Sequence, residues 1–503
     1  MSLPERVAAL GDGLAIVDGA GAHERASLAR RAAAVRQALQ TAGLGPNGEI
    51  GARVAVLGRP GADWCAALFG AWSAGAIVVP LHHRHPADEL AYRLDDAQVS
   101  IVLATDELGS MAHALAARCA ARVVTLPGSA GTVGADGLGA GGVVPVTSEA
   151  LIVHTSGTTG RPKGVVHTHR SLAAQAAAMV EAWEWSADDR TLCVLPLDHV
   201  HGIVNATLTP LSVGAVVEMA DGFEAEAVWE RFASGELTVF TAVPTVYARL
   251  VRAWEQADAL TRRRWSGGAS GLRLMISGSA ALPVPVLERW REISGHVLLE
   301  RYGMTELGMV LGNTLDRRVP GHVGWPFPGV EVRVDTASSE LLVRGPQVFD
   351  RYWNRPEATA AAFDDEWFRT GDVAVDDGAD GWRLLGRASV DILKSGGEKV
   401  SALEIEATYR THPAVDDCAV VGLPDDEWGQ RVVMAWVAAQ PGVAAEVDGA
   451  ELRSWGKERL AAAKVPVEFL RVDDLPRNAL GKVTKPAVVD LFVRIDGGGS
   501  PAR

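Results

Sequence analysis

Across residues 27–42, apolar Leu28, Ala32, Val35 and Leu39 recur at three- and four-residue intervals among arginines, the pattern of a helix with one buried face. Gly43 and Gly45 close it. Residues 53–57 form a short apolar run, followed by helical spacing through Trp64, Leu68 and Trp72. Residues 76–81 read as a strand, 88–96 as a helix and 99–103 as a strand. The alternation resumes with a strand at 151–153, a helix at 171–183 and strands at 192–195, 239–243 and 272–277. A helix begins at Pro244, with Tyr247, Leu250, Val251 and Trp254 on its apolar face and Arg249 opposite. Strands alternating with amphipathic helices predict an α/β fold with parallel-rich sheets.

From Gly321 the pattern changes to short β runs between turns, with strands at 330–334 and 341–344. The last ~115 residues read as a compact α+β unit large enough for its own core. Its helices are expected at 403–409 and 451–463, and its strands at 418–421 and 432–438. The Gly/Ala-rich residues 128–142 read as a surface loop.

The chain has 503 residues, too many for one core. Its net charge of −14 argues against a nucleic-acid partner. The N-terminus lacks a signal-peptide pattern, and no apolar run approaches the ~18 residues of a membrane span. Cys65, Cys119, Cys193 and Cys418 are scattered without CxxC spacing and read as reduced, buried thiols of a cytoplasmic protein.

The chemistry centres on the stretch after the strand at 151–153. Thr155, Ser156, Gly157, Thr158, Thr159 and Gly160 lead into Arg161, Pro162, Lys163 and Gly164. Glycines let backbone N–H groups approach phosphate oxygens, hydroxyls add donors, and a lysine adds positive charge. The P-loop NTPase pattern is excluded, because Lys163 lies between Pro162 and Gly164. The segment TSGTTGRPKG resembles the phosphate loop of the adenylate-forming enzymes, which include acyl-CoA synthetases, luciferases and peptide-synthetase adenylation domains.

Further segments carry the same resemblance. Glu300, Arg301, Tyr302, Gly303, Met304, Thr305 and Glu306 match the family's YGxTE signature and its flank. The resemblance implies that Tyr302 stacks on adenine, Thr305 contacts the α-phosphate and Glu306 holds magnesium. It implies that adenine lies on Gly278, Ser279 and Ala280. Asp372, in a TGD triplet, would bind the ribose hydroxyls, and Arg387 the ribose and phosphate. Gly396 and Gly397 would border the pantetheine channel, and Lys394 in the linker before them is a further expected cofactor-binding residue. Lys482, in the pattern PRxxxGKxxK that ends at Lys485, would reach the reacting carboxylate and phosphate. The implied organisation is a large N-terminal domain over residues 1–386 with a β-rich subdomain. A hinge at 387–395, a small mobile C-terminal domain at 396–495 and a disordered tail at 496–503 complete it. The pivot stays open among Ser389, Val390 and Asp391.

His199 and His201, in an HVHG run, read either as partly buried histidines at a strand-end turn or as two ligands of a metal site with no evident third. The resemblance sets His199 beside the acyl pocket and its thioester tunnel, although Asp198 stands where an aromatic is common. The run is similar to that of malonyl-CoA synthetases, where an arginine at the position of Arg249 pairs with the distal carboxylate. The expected activity is AMP-forming acyl-CoA synthesis using ATP, Mg²⁺ and CoA, placed in fatty acid metabolism. Lys163, Thr305, Glu306 and Lys482 are the expected catalytic residues, and His199, His201, Arg249 and Ser277 the expected substrate residues. The expected acid is malonate or methylmalonate, with a medium-chain or aryl acid as the alternative. A non-catalytic nucleotide-binding protein is the alternative of another class. The expected assembly is a monomer or homodimer.

Overall fold

A computed structural model describes residues 3–44, 51–126, 144–155, 162–395, 398–425, 428–439, 447–477 and 483–496. Two large sheets form its centre. In the first, five strands run parallel in the order Glu149–His154, Ile77–Leu81, Arg53–Leu57, Ile101–Ala104 and Arg122–Thr125. Strands Gly164–Thr168 and Arg351–Tyr352 extend its edge antiparallel.

The second sheet is nine-stranded, with a parallel middle running from Leu299–Met304 through Leu274–Ser277, Val239–Ala242, Arg190–Cys193 and Val216–Met219 to Leu14–Asp18. Buried on both faces, the central strands Val239–Ala242 and Leu274–Ser277 read as mostly apolar runs. The helices Arg25–Thr41 and Ala62–Ser73 lie together in the core between the sheets, with Leu28, Val35, Leu39, Trp64, Leu68 and Trp72 all buried.

A third, antiparallel sheet joins Glu331–Val334, Glu340–Arg344, Trp367–Asp376, Phe363–Asp364 and Trp382–Arg387. A fourth begins at Ile392–Ser395 and is dominated by the pair Val415–Asp425 and Gly429–Ala438. Helix Ala402–Tyr409 packs within that unit's own apolar cluster. The architecture is therefore α/β with a β-rich portion and a separate small α+β unit.

Several expected bounds change. The strand expected at 192–195 occupies Arg190–Cys193, because register with Val216–Met219 starts at Arg190. The helix expected at 451–463 is Gly449–Lys457, and a 3₁₀ turn, Ala462–Lys464, follows separately. This helix passes so close to Tyr409 that a Cβ at Gly456 would lie 2.0 Å from the phenolic oxygen. Three cysteines are buried as expected, whereas Cys119 is partly exposed. The loop expected at 128–142 lies outside the described residues.

Candidate active site

The hairpin that carries the phosphate loop closes where the Thr155 N–H donates to the Lys163 carbonyl at 3.0 Å. Ser156, Gly157, Thr158, Thr159 and Gly160 lie outside the described residues, as do Gly396, Gly397 and Lys482. At the base of the loop, the Lys163 ammonium sits 4.7 Å from the centre of the Tyr352 ring. The Tyr352 hydroxyl donates to Glu306 Oε1 at 2.8 Å. Lysine, tyrosine and glutamate from three separate segments thus form one chain of contacts.

Glu306 is buried, and desolvation raises its proton affinity above the ordinary carboxylate value. Thr305 is half-buried, and its carbonyl accepts a 2.7 Å hydrogen bond from His167 Nε2. His167 lies on Gly164–Thr168, the strand leaving the loop, so this bond ties the two signatures together. Burial lowers the His167 pKa to about 4, so the ring is neutral at neutral pH and its Nε2 carries the donated hydrogen. Nothing in its sequence setting marks His167, because a buried polar tie depends on a partner 138 residues away.

The backbone of the 300–308 turn is equally constrained. A Cβ at Gly303 would meet the Gly308 carbonyl oxygen at 1.9 Å, and one at Gly278 would lie 2.5 Å from the Arg301 guanidinium carbon. Ser279 holds φ +71°, a left-handed value rare for a non-glycine residue, and Ser279 and Ala280 are exposed. Tyr302 is buried and donates to Asp372 Oδ2 at 2.5 Å, while Arg387 Nε lies 3.1 Å from Asp372 Oδ1. Asp372 and Arg387 are direct partners on neighbouring strands. Three residues expected around a nucleotide therefore meet. The Glu300 carboxyl turns elsewhere and accepts from the Gly321 N–H at 2.7 Å; burial raises its pKa to about 7. Lys394 is exposed, with its backbone N–H on Gln430.

His201 opens a π-helix, His201–Leu208, in place of the expected turn. The chain is crowded there, since a Cβ at Gly202 would meet the Pro196 carbonyl oxygen at 2.2 Å. His201 Nε2 bonds Thr241 Oγ1 at 2.9 Å and its Nδ1 bonds Ser279 Oγ at 3.2 Å. The Arg301 guanidinium is buried in the same group, with Nη1 reaching Ser279 Oγ at 3.5 Å. Burial lowers its pKa to about 9, which leaves it a cation at neutral pH. Arg301 Nη2 and the buried Ser277 Oγ have no hydrogen-bond partner among the described residues.

Arg249 is different. It is exposed, with its guanidinium 4.7 Å over the Phe223 ring, and lines an open depression with Arg252 and Gln256. The arginine beside His201 is Arg301, whereas Arg249, facing opposite Tyr247 and Leu250, is turned away from the sheet. The metal reading of His199 and His201 has no support, since among the described residues no three potential ligands gather.

The sequence matches the AMP-binding enzyme family over residues 3–353 and the AMP-binding enzyme C-terminal domain over 404–482. It is 40% identical to a human (Homo sapiens) protein named malonate–CoA ligase ACSF3, mitochondrial, over 97% of this chain and 91% of the relative. It is 39% identical to a malonate–CoA ligase of Arabidopsis thaliana over 86% of this chain and 77% of the relative. Among solved structures, ATP-bound MatB from Rhodopseudomonas palustris superposes with a TM-score of 0.88 at 32% identity, covering 98% of this chain and 100% of that one.

Proposed function

Because the chain belongs to the AMP-binding enzyme family, we propose that it is an ATP-dependent acid–thiol ligase that converts malonate and CoA to malonyl-CoA through an acyl-adenylate. The observation that carries the choice of acid is Arg301. A buried guanidinium with an unpartnered Nη2, sharing the Ser279 hydroxyl with His201, suits the planar second carboxylate of a short diacid. An aryl or medium-chain acid would leave that cation buried and unpaired, a costly arrangement. Methylmalonate carries the same two carboxylates and belongs to the same reading.

Two anions must meet when the carboxylate attacks the α-phosphorus, so charge neutralisation is the main task. Glu306 suits magnesium, since a desolvated carboxylate gains from a hard cation that prefers oxygen. It would hold that ion, which supplies neutralisation of the diphosphate leaving group. Lys163 and the loop N–H groups act on the same charge. Thr305 and Lys482 neutralise the reacting phosphate, and Asp372 with Arg387 seats the ribose. A non-catalytic role would not need a lysine, a carboxylate and a guanidinium in these positions.

The hinge is assigned to residues 387–395 with Asp391 as pivot. Its carboxylate accepts from the Arg387 N–H at 3.0 Å and lies 3.7 Å from Lys485, so it touches both sides of the joint. Among the described residues no helix is long and apolar enough to cross a membrane. A cytoplasmic location and a place in fatty acid metabolism complete the proposal, and cell fractionation tests the location against the mitochondrial one in the human relative's name.

The deciding experiment incubates the protein with ATP, Mg²⁺, CoA and a panel of acids. Malonate is expected to give the highest kcat/KM for thioester formation. Preference for a monocarboxylic acid would overturn the substrate, and no acid-dependent diphosphate release would overturn the enzyme class.

A further inference from the structure

None of the residues given a role above lies on helix Ala87–Asp96, yet its polar side chains converge on the base of the phosphate loop. Leu90, Ala91 and Leu94 bury its apolar face, and Arg93 anchors it to the segment after Arg190–Cys193 by a 2.8 Å bond from Nη1 to the Asp198 carboxylate. Tyr92 and Asp96 stand one turn apart on an adjoining face. The Tyr92 hydroxyl donates to the Pro162 carbonyl at 2.7 Å. The Asp96 side chain, 4% exposed, accepts from His154 Nε2 at 3.1 Å and from Arg355 Nη2 at 2.7 Å. His154 ends the strand entering the loop, Pro162 stands just before the strand leaving it, and Arg355 follows Tyr352 by three residues. One helix face therefore holds both stems of the hairpin and the segment whose tyrosine ring meets Lys163.

Helix stability does not account for this face, because a carboxylate in the last turn opposes the helix dipole and a buried ion pair is no reliable source of stability. Burial pushes Asp96 toward protonation, but His154 and Arg355 hold its carboxyl below the ordinary value, so it is an anion at neutral pH. Burial and that anion raise the Tyr92 phenol, which keeps its proton. Asp96 Oδ1 lies 3.5 Å from the hydroxyl against 2.7 Å for the Pro162 oxygen, so the proton goes to the carbonyl. The consequence falls on Lys163. The carbonyl before it is held by Tyr92, and its own carbonyl by the Thr155 N–H at 3.0 Å. Both peptide planes flanking the lysine are thus fixed, which sets the direction in which its exposed side chain leaves the backbone.

We propose that Tyr92 is a positioning residue for adenylation: through the Pro162 carbonyl it aims Lys163 at the diphosphate leaving group, while Asp96 ties the incoming stem to the segment bearing Tyr352. This rests on the acid–thiol ligase reading above and deepens it. A lysine that neutralises charge as the phosphorus–oxygen bond breaks loses rate when its ammonium strays, since misplacement by about 1 Å can cost ~100-fold. Tyr92 itself touches no reacting atom. Once diphosphate has left, Lys163 has no such charge to meet, so transfer of the acyl group to CoA does not depend on Tyr92.

The test separates the two half-reactions. Acid-dependent exchange of labelled diphosphate into ATP reads adenylation, and mixing supplied malonyl-adenylate and enzyme with CoA reads transfer. Tyr92→Phe is expected to lower kcat for exchange by ~10-fold or more, with KM for malonate and the transfer rate each within about threefold. The Tyr92→Phe/Lys163→Ala double variant is expected to be no slower in exchange than Lys163→Ala, since one residue acts through the other. A merely structural hydroxyl would instead slow both half-reactions and multiply with the loss at Lys163.

Exchange within about twofold of the unsubstituted enzyme, equal loss in both half-reactions, or multiplying losses in the double variant would overturn the proposal. Should Tyr92→Phe not fold, Asp96→Asn decides, read by the ratio of exchange to transfer. That ratio should fall, and an unaltered ratio sinks the idea. Absence of exchange in the unsubstituted enzyme instead refutes the ligase reading itself.

Discussion

Tyr302 and Asp372 share a 2.5 Å hydrogen bond although 70 residues separate them, and Arg387 binds the second Asp372 oxygen. The carboxylate is thereby held rigid and buried, facing a phenol on one side and a guanidinium on the other. A diol arriving there meets an acceptor whose orientation is already set, which reduces the ordering penalty of binding.

Asp372→Ala is therefore expected to raise KM for ATP by ~10–100-fold, the size of one or two hydrogen bonds to a charged group. Tyr302→Phe keeps the ring and removes only the hydroxyl, so its effect should be several times smaller. Diphosphate exchange at varied ATP measures both. An Asp372→Ala enzyme with unchanged KM would remove the ribose contact from the proposal.

Arg301 and Arg249 give opposite forecasts. Arg301→Ala should lower kcat/KM for malonate by ~30-fold or more, since a desolvated charge pair commonly carries 2–5 kcal/mol. Activity on propionate should change little or improve. Arg249→Ala, at an exposed ring contact, should leave malonate activity within about threefold. A selective loss of diacid activity in the Arg249 variant would restore the arginine expected from sequence.

The difference between those arginines shows where sequence reading stops. Strands such as the one ending at Ser277 were legible because their apolar spacing follows directly from burial, whereas Tyr302, Asp372 and Arg387 were legible only through the motifs of the resemblance, and the strands that carry them were not expected. Arg301 was legible as part of a signature but not as a pocket cation, because strand alternation gives no account of which side a ligand occupies. The π-helix at His201 escaped for a related reason: apolar spacing does not report the extra residue per turn, and only the fold shows Gly202 packed against the Pro196 carbonyl. His167 and Tyr352 carry no local signal at all; their roles exist only once Thr305 and Glu306 come alongside.

Acid should expose the buried histidines. His167 and His169 have folded pKa values lowered from 6.5 to about 4 by burial, so between those values the unfolded chain binds more protons than the folded one. Stability then rises with pH across that window, is fully present above about 6.5, and is lost as pH falls toward 4. Tm should fall steadily below pH 6.5, and His167→Phe should flatten that slope while lowering Tm at pH 7.5 through the lost bond to Thr305. An unchanged slope in the variant would show that His167 protonates elsewhere in the transition.

The two lysines of the PRxxxGKxxK segment should separate cleanly. Lys485 contacts buried Glu406 and donates to the Val420 carbonyl at 2.7 Å, so it belongs to the frame of the small unit. Lys485→Met leaves Glu406 with only Arg410 as a cationic partner among the described residues, at 3.3 Å, and with the Val420 N–H. Breaking such a buried pair typically removes about 3–5 kcal/mol, and the remaining partners place this case near 3 kcal/mol. Urea denaturation should register that loss, with the ratio of exchange to transfer rates unaltered. Lys482→Ala is expected to do the reverse: stability unchanged, exchange slowed by an amount equivalent to ~2.7–4 kcal/mol, and transfer from supplied acyl-adenylate largely spared. The contrast is diagnostic because a lysine acting on the reacting phosphate matters only while that bond forms, whereas a lysine pairing a buried carboxylate matters whenever the chain is folded. If Lys482→Ala slowed both half-reactions alike, its role would not be confined to adenylation, and its assignment to the reacting phosphate would lose its support.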